Sequence, residues 1–251
     1  MSGQREERPS SVSATTKQGG EGAYRWYWTE PSVWKERMLT ALEEGVKGDK
    51  WFSLIDKVYR EANLRVSYSK VLANKGASGV DHVTVEAFGK RLEENLKEII
   101  GDLRSGSYEP QAIRRVYIPK PGSKEQRPLG IPTVRDRVVQ GAIRHVIEPI
   151  FEKEFAEHSY GFRPGKGCKD ALRRVDELLR SGHAYVVDVD LKRYFDTIPH
   201  ARMMNRLRER IADGELLSLI EKFLKARIME EMEEYETEEG TPQGAIISPL
   251  L

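Results

Sequence analysis

The sequence predicts an α+β fold, and three observations support this prediction. Several segments place apolar residues at the three- and four-residue spacing of an amphipathic helix. Two extended basic segments, residues 114–119 and 127–131, flank a Pro-Gly turn and are typical of a β-hairpin. Residues 184–191 alternate apolar and acidic side chains, which indicates one more strand. The 251 residues suffice for one large domain or two small ones.

The composition excludes several classes of protein. Lys and Arg number 41 against 40 Asp and Glu, and 32% of the residues are charged, which indicates a well-solvated surface. A hydrophobic content of 39% is too high for wholesale disorder. No stretch approaches 18 uncharged apolar residues, so we predict no membrane span and no membrane partner. The single cysteine, Cys168, excludes an internal disulfide and fits a reducing compartment, so we expect a cytoplasmic protein.

The N-terminal part is predicted to be a disordered leader followed by helices. Residues 1–22 are mostly small, polar or charged, without the apolar stretch of a secretory signal. One helix is predicted from Pro31 to the glycines that follow it, and a second over Asp49–Asn63. All four tryptophans fall between residues 26 and 51. They either pack these helices together or contact nucleic acid.

The remaining elements follow in order. Residues 74–81 (NKGASGVD) are predicted to form a loop because of their glycines and polar side chains. Further helices are predicted from the apolar spacing of residues 84–104, 134–155 and 169–181, and residues 202–229 are predicted to be mostly helical. Seven glutamates then lie within residues 230–239.

The predicted hairpin is basic. Residues 111–140 carry seven Lys or Arg against two acidic residues, which suits either a polyanion or an ordinary solvated surface. Lys120 and Arg127 are seven residues apart across the hairpin loop, so their side chains can converge on one phosphate group. A lysine supplies a point charge and an arginine a bidentate fork, a pair suited to a triphosphate.

Two acidic residues mark the end of the strand predicted over residues 184–191. Asp188 and Asp190 share one face of that strand. A carboxylate at the end of a buried apolar strand is costly unless it is paired or holds a metal ion. The residues alone leave both possibilities open.

A Gly/Pro-rich segment, GTPQGAIISP over residues 240–249, is the last feature with chemical content. Gly240 and Gly244 are predicted to let the backbone approach a flat ligand closely. Gln243 offers hydrogen-bond donors and an acceptor to a sugar or a base edge.

Taken in order, four segments resemble the reverse transcriptase domain of group II intron-encoded proteins, the bacterial reverse transcriptase/maturases. They are RRVYIPKPGSKEQRPLGIPTVRDRVVQGAIRHVIEPIFE, HSYGFRPGKGCKDALRRV, VVDVDLKRYFDTIPH and GTPQGAIISPLL. The resemblance covers roughly residues 50–251. It implies the fingers and part of the palm of a right-hand polymerase, preceded by a helical N-terminal extension. The implied division is a leader at 1–22, the extension and start of the fingers at 23–104, fingers with the basic hairpin at 105–183, and a partial palm at 184–251.

The resemblance also implies a catalytic centre for two-metal nucleotidyl transfer. Asp190 is expected to be catalytic and to bind Mg²⁺ together with the carbonyl of Leu191, with Asp188 in a supporting role. Phe195 is expected to lie under the sugar of the incoming nucleotide and to exclude a ribose 2′-hydroxyl.

Further roles are implied for the nucleotide and for the nucleic acid. The expected nucleotide-binding residues are Lys120, Arg127, Phe195 and Gln243. The expected nucleic-acid-binding residues are Arg114, Arg115, Arg163, Gly165 and Lys166. For the GFRPG stretch around Arg163, a purely structural turn is the alternative.

The implied function is an RNA-directed DNA polymerase of a group II intron with a maturase role in splicing and mobility. Its partners would be group II intron RNA, an RNA template, a DNA primer and dNTPs, and a homodimer is possible. The sequence holds no Tyr-Ala-Asp-Asp tetrad, so we expect a C-terminally truncated chain that is inactive alone. It would be a fragment of a longer product, a frameshifted or split relic, or a retained RNA binder. The alternative function is therefore a non-catalytic RNA-binding remnant that grips structured intron RNA with residues 24–140.

Overall fold

A computed structural model gives the structure of the protein for residues 25–119, 122, 124–191, 194–231, 233–241 and 244–251. The leader predicted over residues 1–22 lies outside the described residues. Within the described ranges, no helix has the length and the apolar character needed to cross a membrane.

The N-terminal half is helical, as predicted, but is divided into shorter pieces. Its elements are α1 (Glu36–Glu44), a 3₁₀ turn (Lys47–Asp49), α2 (Ile55–Val58), α3 (Glu61–Asn74), α4 (Val85–Lys90) and α5 (Leu92–Ser105). The single helix predicted over Asp49–Asn63 is wrong, because the chain is extended at Trp51. There the Trp51 N–H donates to the Arg210 carbonyl at 2.8 Å, and the Ala212 N–H donates to the Trp51 carbonyl at 2.9 Å.

The tryptophan cluster packs these helices together. Trp26 and Trp34 are only 2% exposed. The Trp34 indole N–H donates to the His145 carbonyl at 2.8 Å, and the Trp34 and Trp51 rings meet edge to face with centroids 5.4 Å apart. The packing interpretation of the cluster is therefore confirmed for these residues.

The longest helix among the described residues, α6 (Val134–Glu152), forms the centre of the core. The Thr133 hydroxyl caps its N-terminus by accepting from the Asp136 N–H at 3.1 Å. Helix α3 lies against α6 at very short range, since a Cβ on Gly141 would fall 2.2 Å from the Ser67 Oγ. The Ser67 hydroxyl donates to the Val138 carbonyl at 2.7 Å, which satisfies this polar group in the interface.

The sheet has four strands in the order β2-β1-β3-β4. Strands β1 (Ile113–Pro119) and β2 (Gln126–Ile131) form the predicted antiparallel hairpin. Strand β3 (Ile228–Glu230) joins β1 in parallel, and β4 (Glu233–Tyr235) pairs antiparallel with β3. The helical prediction for residues 202–229 is thus wrong for its last residues, which belong to β3. Part of the glutamate-rich stretch forms β4 of the same sheet.

The C-terminal helices are α7 (Cys168–Arg180), α8 (Tyr194–Thr197), α9 (His200–Arg210) and α10 (Gly214–Leu224). The Asp213 carboxylate caps two helices at once. Its Oδ1 accepts from the Leu216 N–H at 3.0 Å, and its Oδ2 accepts from the N–H groups of Leu54 and Ile55 at 2.5 and 2.9 Å. One side chain therefore ties the N-terminal extension to the C-terminal helices.

The strand predicted over residues 184–191 is wrong. This stretch forms no strand and is exposed throughout, with Tyr185, Val187 and Val189 each more than three-quarters exposed. Among the described residues no strand pairs with it. Its alternating side chains therefore contact neither a neighbouring strand nor the hydrophobic core.

Candidate functional site

Three segments that are distant in sequence meet at the edge of the sheet formed by β2. They are β2 itself, helix α8 and the described residues of the 240–249 segment. The Thr241 N–H donates to the Phe195 carbonyl at 2.7 Å. A Cβ on Gly240 would lie 2.7 Å from the same carbonyl, and a Cβ on Gly244 would lie 2.6 Å from the Gly130 carbonyl of β2. Both glycines also have φ in the left-handed region, at +81° and +108°. Both glycines thus approach protein backbone closely, and their predicted approach to a flat ligand stays a prediction.

Two cavities flank this junction. The first, the α3–α6 cavity, has a volume of about 700 Å³ and lies between α3, α6, β2 and residues 244–249. The second, the sheet-face cavity, has a volume of about 860 Å³ and is lined by the strands and by residues 235–241. Arg127 and Phe195 line both cavities. Two residues assigned to nucleotide binding by resemblance are thereby brought together.

Arg127 is exposed on β2, and its guanidinium has no hydrogen bond or ion pair with any described residue. Such a side chain is available to an anionic ligand without first losing a partner in the protein. Lys120 and Gln243, the two other predicted nucleotide contacts, lie outside the described residues.

The two arginines of β1 are already engaged. Arg114 donates to the Ser78 carbonyl at 2.6 Å, and Arg115 forms an ion pair with Glu230 of β3 at 3.3 Å. Glu230 also accepts from the Tyr117 hydroxyl at 2.6 Å, and this hydrogen bond raises the pKa of Tyr117. A nucleic-acid role for Arg114 and Arg115 stays a prediction, and a phosphate would have to compete with these partners.

Two more cations of the basic stretch point into the protein. Arg135 forms an ion pair with Asp102, and Arg137 donates to the Ala77 carbonyl at 2.7 Å. Arg137 is buried, and burial lowers its pKa. The positive excess of residues 111–140 that reaches solvent is therefore smaller than the sequence indicates.

The GFRPG stretch forms a turn that is held together by Arg163. Its Nε and Nη2 donate to one carboxylate oxygen of Glu152 at 3.0 and 2.7 Å, and its Nη1 donates to the carbonyls of Ala156 and Ser159 at 2.6 and 2.9 Å. The side chain is only 8% exposed. These contacts favour the structural-turn interpretation for Arg163.

The two other residues predicted from this stretch lie nearer the surface. Gly165 has a φ of +71°, and a Cβ there would lie 3.3 Å from the Tyr27 hydroxyl. The Lys166 ammonium donates to the Glu157 carbonyl and lies 5.4 Å from the centre of the Tyr160 ring. Their contact with nucleic acid stays a prediction.

Asp190, the predicted metal ligand, lies with Leu191 in the exposed stretch before α8. A carboxylate is the hard oxygen ligand that Mg²⁺ prefers. Among the described residues, however, no group of three or more Asp, Glu, His or Cys side chains lies close enough together to hold a metal ion. Taken alone, the described residues do not form a metal centre.

Lys70 and His145, which line the α3–α6 cavity, belong to a polar network that the sequence did not reveal. The Asn63 amide donates to the Ala142 carbonyl at 3.1 Å, so its oxygen accepts from His145 Nδ1 at 2.8 Å. The other ring nitrogen, Nε2, then accepts from the Lys70 ammonium at 2.7 Å. Burial, followed by the charges of Lys70 and Arg144, lowers the pKa of His145 to about 3. The imidazole is therefore neutral at physiological pH, with Nδ1 as its donor and Nε2 as its acceptor.

Lys70 was missed because α3 itself was only partly recognised. Leu64, Tyr68 and Val71 are buried at the spacing of one helix face, and this signal could have predicted α3. Nothing in the local sequence, however, indicates that Lys70 faces a cavity formed with α6.

Comparison with known proteins shows which family the sequence resembles. The sequence profile described as reverse transcriptase (RNA-dependent DNA polymerase) matches residues 118–251, just over half of the chain. The group II intron-encoded protein LtrA of Lactococcus lactis subsp. cremoris is 42% identical over 188 residues, which cover 74% of this chain and 31% of LtrA. Protein YkfC of Escherichia coli K12 is 37% identical over 232 residues, covering 90% of this chain and 56% of YkfC. The chain thus spans just under a third of LtrA and just over half of YkfC.

A solved structure supports the fold. A chain of the Cas6-RT-Cas1–Cas2 complex superposes with a TM-score of 0.54 at 21% identity, covering 79% of this chain and 20% of that chain. This likeness supports the fingers-and-palm fold. Proteins that share the matched profile generally use divalent metal ions and bind nucleic acid.

Proposed function

The chain belongs to the reverse transcriptase (RNA-dependent DNA polymerase) family, and from that premise we propose that it is the fingers-and-palm part of a group II intron RNA-directed DNA polymerase. The observation that carries the proposal is the junction of β2, α8 and residues 240–249. There, Arg127 and Phe195 line both cavities. The proposed reaction joins a dNTP to a DNA primer paired with an RNA template.

Arg127 is proposed to bind the triphosphate of the incoming nucleotide, and Lys120 is proposed as a second cation for the same group. The free guanidinium of Arg127 supports this role, because a bidentate fork can hold two phosphate oxygens at once. Gln243 is proposed to contact the same nucleotide.

Phe195 is proposed to lie under the sugar. Its backbone carbonyl is fixed by the Thr241 N–H and by the close approach of Gly240. A backbone held on both sides supports a role in which a small steric difference, such as one hydroxyl, must be discriminated.

Asp190 and the Leu191 carbonyl are proposed to supply two oxygen ligands to Mg²⁺. When bound, the ion would stabilise the negative charge that develops on the transferred phosphoryl group. The remaining ligands would come from outside the described residues.

The proposed partners are group II intron RNA, in a maturase role, together with the template, the primer and dNTPs, and the proposed location is the cytoplasm. A homodimer stays a prediction that sedimentation analysis would test. RNA affinity should fall steeply with rising salt, since phosphate neutralisation releases counterions.

The test is a nucleotide-dependent binding assay on the 251-residue chain. A fluorescent RNA template carrying a dideoxy-terminated DNA primer is titrated with protein and Mg²⁺, with and without the next complementary dNTP. We expect the complementary dNTP to tighten the complex. Arg127→Ala should remove about tenfold of that tightening, close to the loss of one charge-assisted hydrogen bond.

The matched control is Lys124→Ala, an exposed cation on the same hairpin. It should leave the dNTP effect intact. If the complementary dNTP changes nothing in the native chain, the polymerase proposal is contradicted. Duplex or RNA binding that ignores dNTPs would then indicate the alternative, a non-catalytic RNA-binding module.

A further inference from the structure

We propose that Asp136 is a positioning residue for the nucleotide site, because its carboxylate fixes the base of the β1–β2 hairpin and thereby sets the place of Arg127. The inference rests on the proposed function, since it takes Arg127 as the residue that binds the triphosphate. Asp136 is one of the two acidic residues in the basic stretch 111–140, and the sequence alone assigns it no role.

Asp136 lies in the first turn of α6 and is only 2% exposed, yet both of its carboxylate oxygens are engaged. Its Oδ1 accepts from the Tyr108 hydroxyl at 2.8 Å. Its Oδ2 accepts from the Thr133 hydroxyl at 2.7 Å and from the Gln111 N–H at 3.2 Å. Burial raises the pKa of Asp136, and the hydrogen bonds from Thr133 and Tyr108 oppose that shift. Since all three partners donate, the ionised carboxylate is the form that satisfies them.

The partners of Oδ2 lie at the two ends of the hairpin. Gln111 precedes the first residue of β1, Ile113, by two positions, and Thr133 follows the last residue of β2, Ile131, by two positions. Only Pro132 separates β2 from Thr133, and proline fixes its own φ, so the direction of β2 depends on where Thr133 is held. One carboxylate oxygen therefore holds both ends of the hairpin.

The partner of Oδ1, Tyr108, connects this point to the core. Tyr108 is 1% exposed, and its carbonyl accepts from the Lys222 ammonium of α10 at 3.0 Å. Its ring lies 6.0 Å from the Phe223 ring, between centroids, and 4.8 Å from the Arg135 guanidinium. Asp136 thus fixes the hairpin relative to α6 and α10 together.

Arg127 lies far along the hairpin from these contacts. It pairs with Ile118 of β1, which is seven residues beyond Gln111. At about 3.4 Å per residue this separation is about 24 Å, so a tilt of about 5° at the base would move Arg127 by about 2 Å. Beyond Arg114, the described part of β1 pairs through its backbone only with β2, apart from two side-chain contacts with β3. Since an error of about 1 Å in positioning can cost about a hundredfold in rate, the contacts at the base matter for the site.

The first test measures the direction of the hairpin. Nitroxide labels are attached at Lys124→Cys on the hairpin and at Lys97→Cys on α5, in a Cys168→Ser background, since all three side chains are exposed. Double electron–electron resonance gives the distribution of distances between the labels. We expect a narrow distribution with Asp136 and one about twofold broader in Asp136→Asn, because the amide replaces one acceptor oxygen by a donor. An unchanged distribution in Asp136→Asn would overturn the inference.

The matched control lies in the same helix. Ile143 is fully buried in α6 and has no contact with the carboxylate of Asp136, so Ile143→Ala should weaken folding and leave the distribution narrow. If Ile143→Ala broadens it equally, the hairpin responds to any loss of stability and the inference is wrong. Should Asp136→Asn fail to fold, Tyr108→Phe takes its place, because it keeps the buried ring and removes a single hydroxyl. That variant should also broaden the distribution.

The second test links Asp136 to Arg127 through the dNTP assay. Asp136→Asn should remove about tenfold of the tightening by the complementary dNTP, as Arg127→Ala does, and leave the affinity without dNTP unchanged. The double variant should lose no more than Arg127→Ala alone, because Asp136 acts through Arg127. Losses that multiply in the double variant would show that Asp136 acts elsewhere and would overturn the inference.

The two tests separate the inference from the proposed function. If Asp136→Asn leaves both the label distances and the dNTP effect as in the native chain, the inference fails and the proposed function stands. If the complementary dNTP changes nothing in the native chain, the proposed function fails. The label distances then still decide whether Asp136 fixes the hairpin.

Discussion

Helices α6 and α7 both carry apolar residues at helical spacing but lie in opposite environments. Sixteen of the 19 residues of α6 are buried, whereas none of the 13 residues of α7 is. In α7, Leu172, Val175 and Leu179 occupy one face and are between 50% and 68% exposed. Apolar spacing therefore predicts that a helix has a face to bury, but it does not tell what covers that face.

The difference lies in the neighbours of the two helices. Helix α6 lies so close to α3 that a Cβ at Gly141 would collide with the Ser67 hydroxyl, and it begins at a capped N-terminus. Helix α7 is followed by residues 184–191, which are exposed as well. Among the described residues, the apolar faces of both segments are open to solvent, a property that usually marks a contact surface.

The largest effect should come from shortening a side chain in α6. Ile143 is fully buried, so Ile143→Ala should lower the free energy of unfolding by about 2–5 kcal/mol, through lost burial and the cavity left behind. Urea unfolding followed by circular dichroism measures this loss. A loss below about 1 kcal/mol would mean that the core around α6 is looser than the structure indicates.

The second-largest effect is a loss of folding stability at low pH, caused by the buried His145. Because the pKa of His145 is lowered to about 3 in the folded chain, the unfolded chain takes up a proton below its ordinary pKa of 6.5 while the folded chain does not. The stability linked to His145 is therefore fully present above pH 6.5 and is lost as the pH falls towards 3. Relative to His145→Gln, the native chain should lose about 3 kcal/mol between pH 7 and pH 4.

The control for this prediction is a variant that lacks the positive charge next to the His145 ring. Lys70→Met removes a cation that lowers the pKa of His145, so the loss should be smaller in that variant. Chemical denaturation at a series of pH values measures all three chains. Parallel curves for the native chain and His145→Gln would show that His145 is not protected from protonation.

The smallest effect should come from α7. Leu172→Ala removes an exposed side chain, so the free energy of unfolding should change by less than about 0.5 kcal/mol. The same urea experiment measures this change. A loss above about 2 kcal/mol would show that something covers this face in solution, and the contrast with α6 would disappear.

Local patterns predicted the local parts of the fold. The β1–β2 hairpin and most helices were predicted because turn residues and apolar spacing can be recognised within one short segment of the sequence. Strand β3 was not predicted, because its pairing with β1 joins Ile113 to Ile228 and leaves no signal in either segment alone. The alternating pattern of residues 184–191 failed for the opposite reason, since the signal is present but the described chain supplies no neighbouring strand.

The candidate site likewise contains residues that local motifs predicted and residues that only the packing of distant segments brings together. Arg127 and Phe195 were predicted from motifs, and the structure brings them to one junction. Lys70 was missed, because its place in the wall of the α3–α6 cavity depends on how α3 and α6 pack. The glycines of residues 240–249 were recognised as positions of close approach, but the surface that they approach, the backbone of Phe195 and Gly130, could be found only in three dimensions.

The parallel pairing of β1 with β3 has a consequence for biosynthesis. The ribosome releases the β1–β2 hairpin long before Ile228 is made, and an isolated two-stranded hairpin is at best marginally stable in water. Closing so long a loop is entropically costly and slow compared with forming a hairpin. The edge of β1 that binds β3 therefore stays unpaired until Ile228 has been made. A nascent chain that stalls before residue 228 would expose that edge, which makes it a natural point of recognition for chaperones or of misassembly between neighbouring chains.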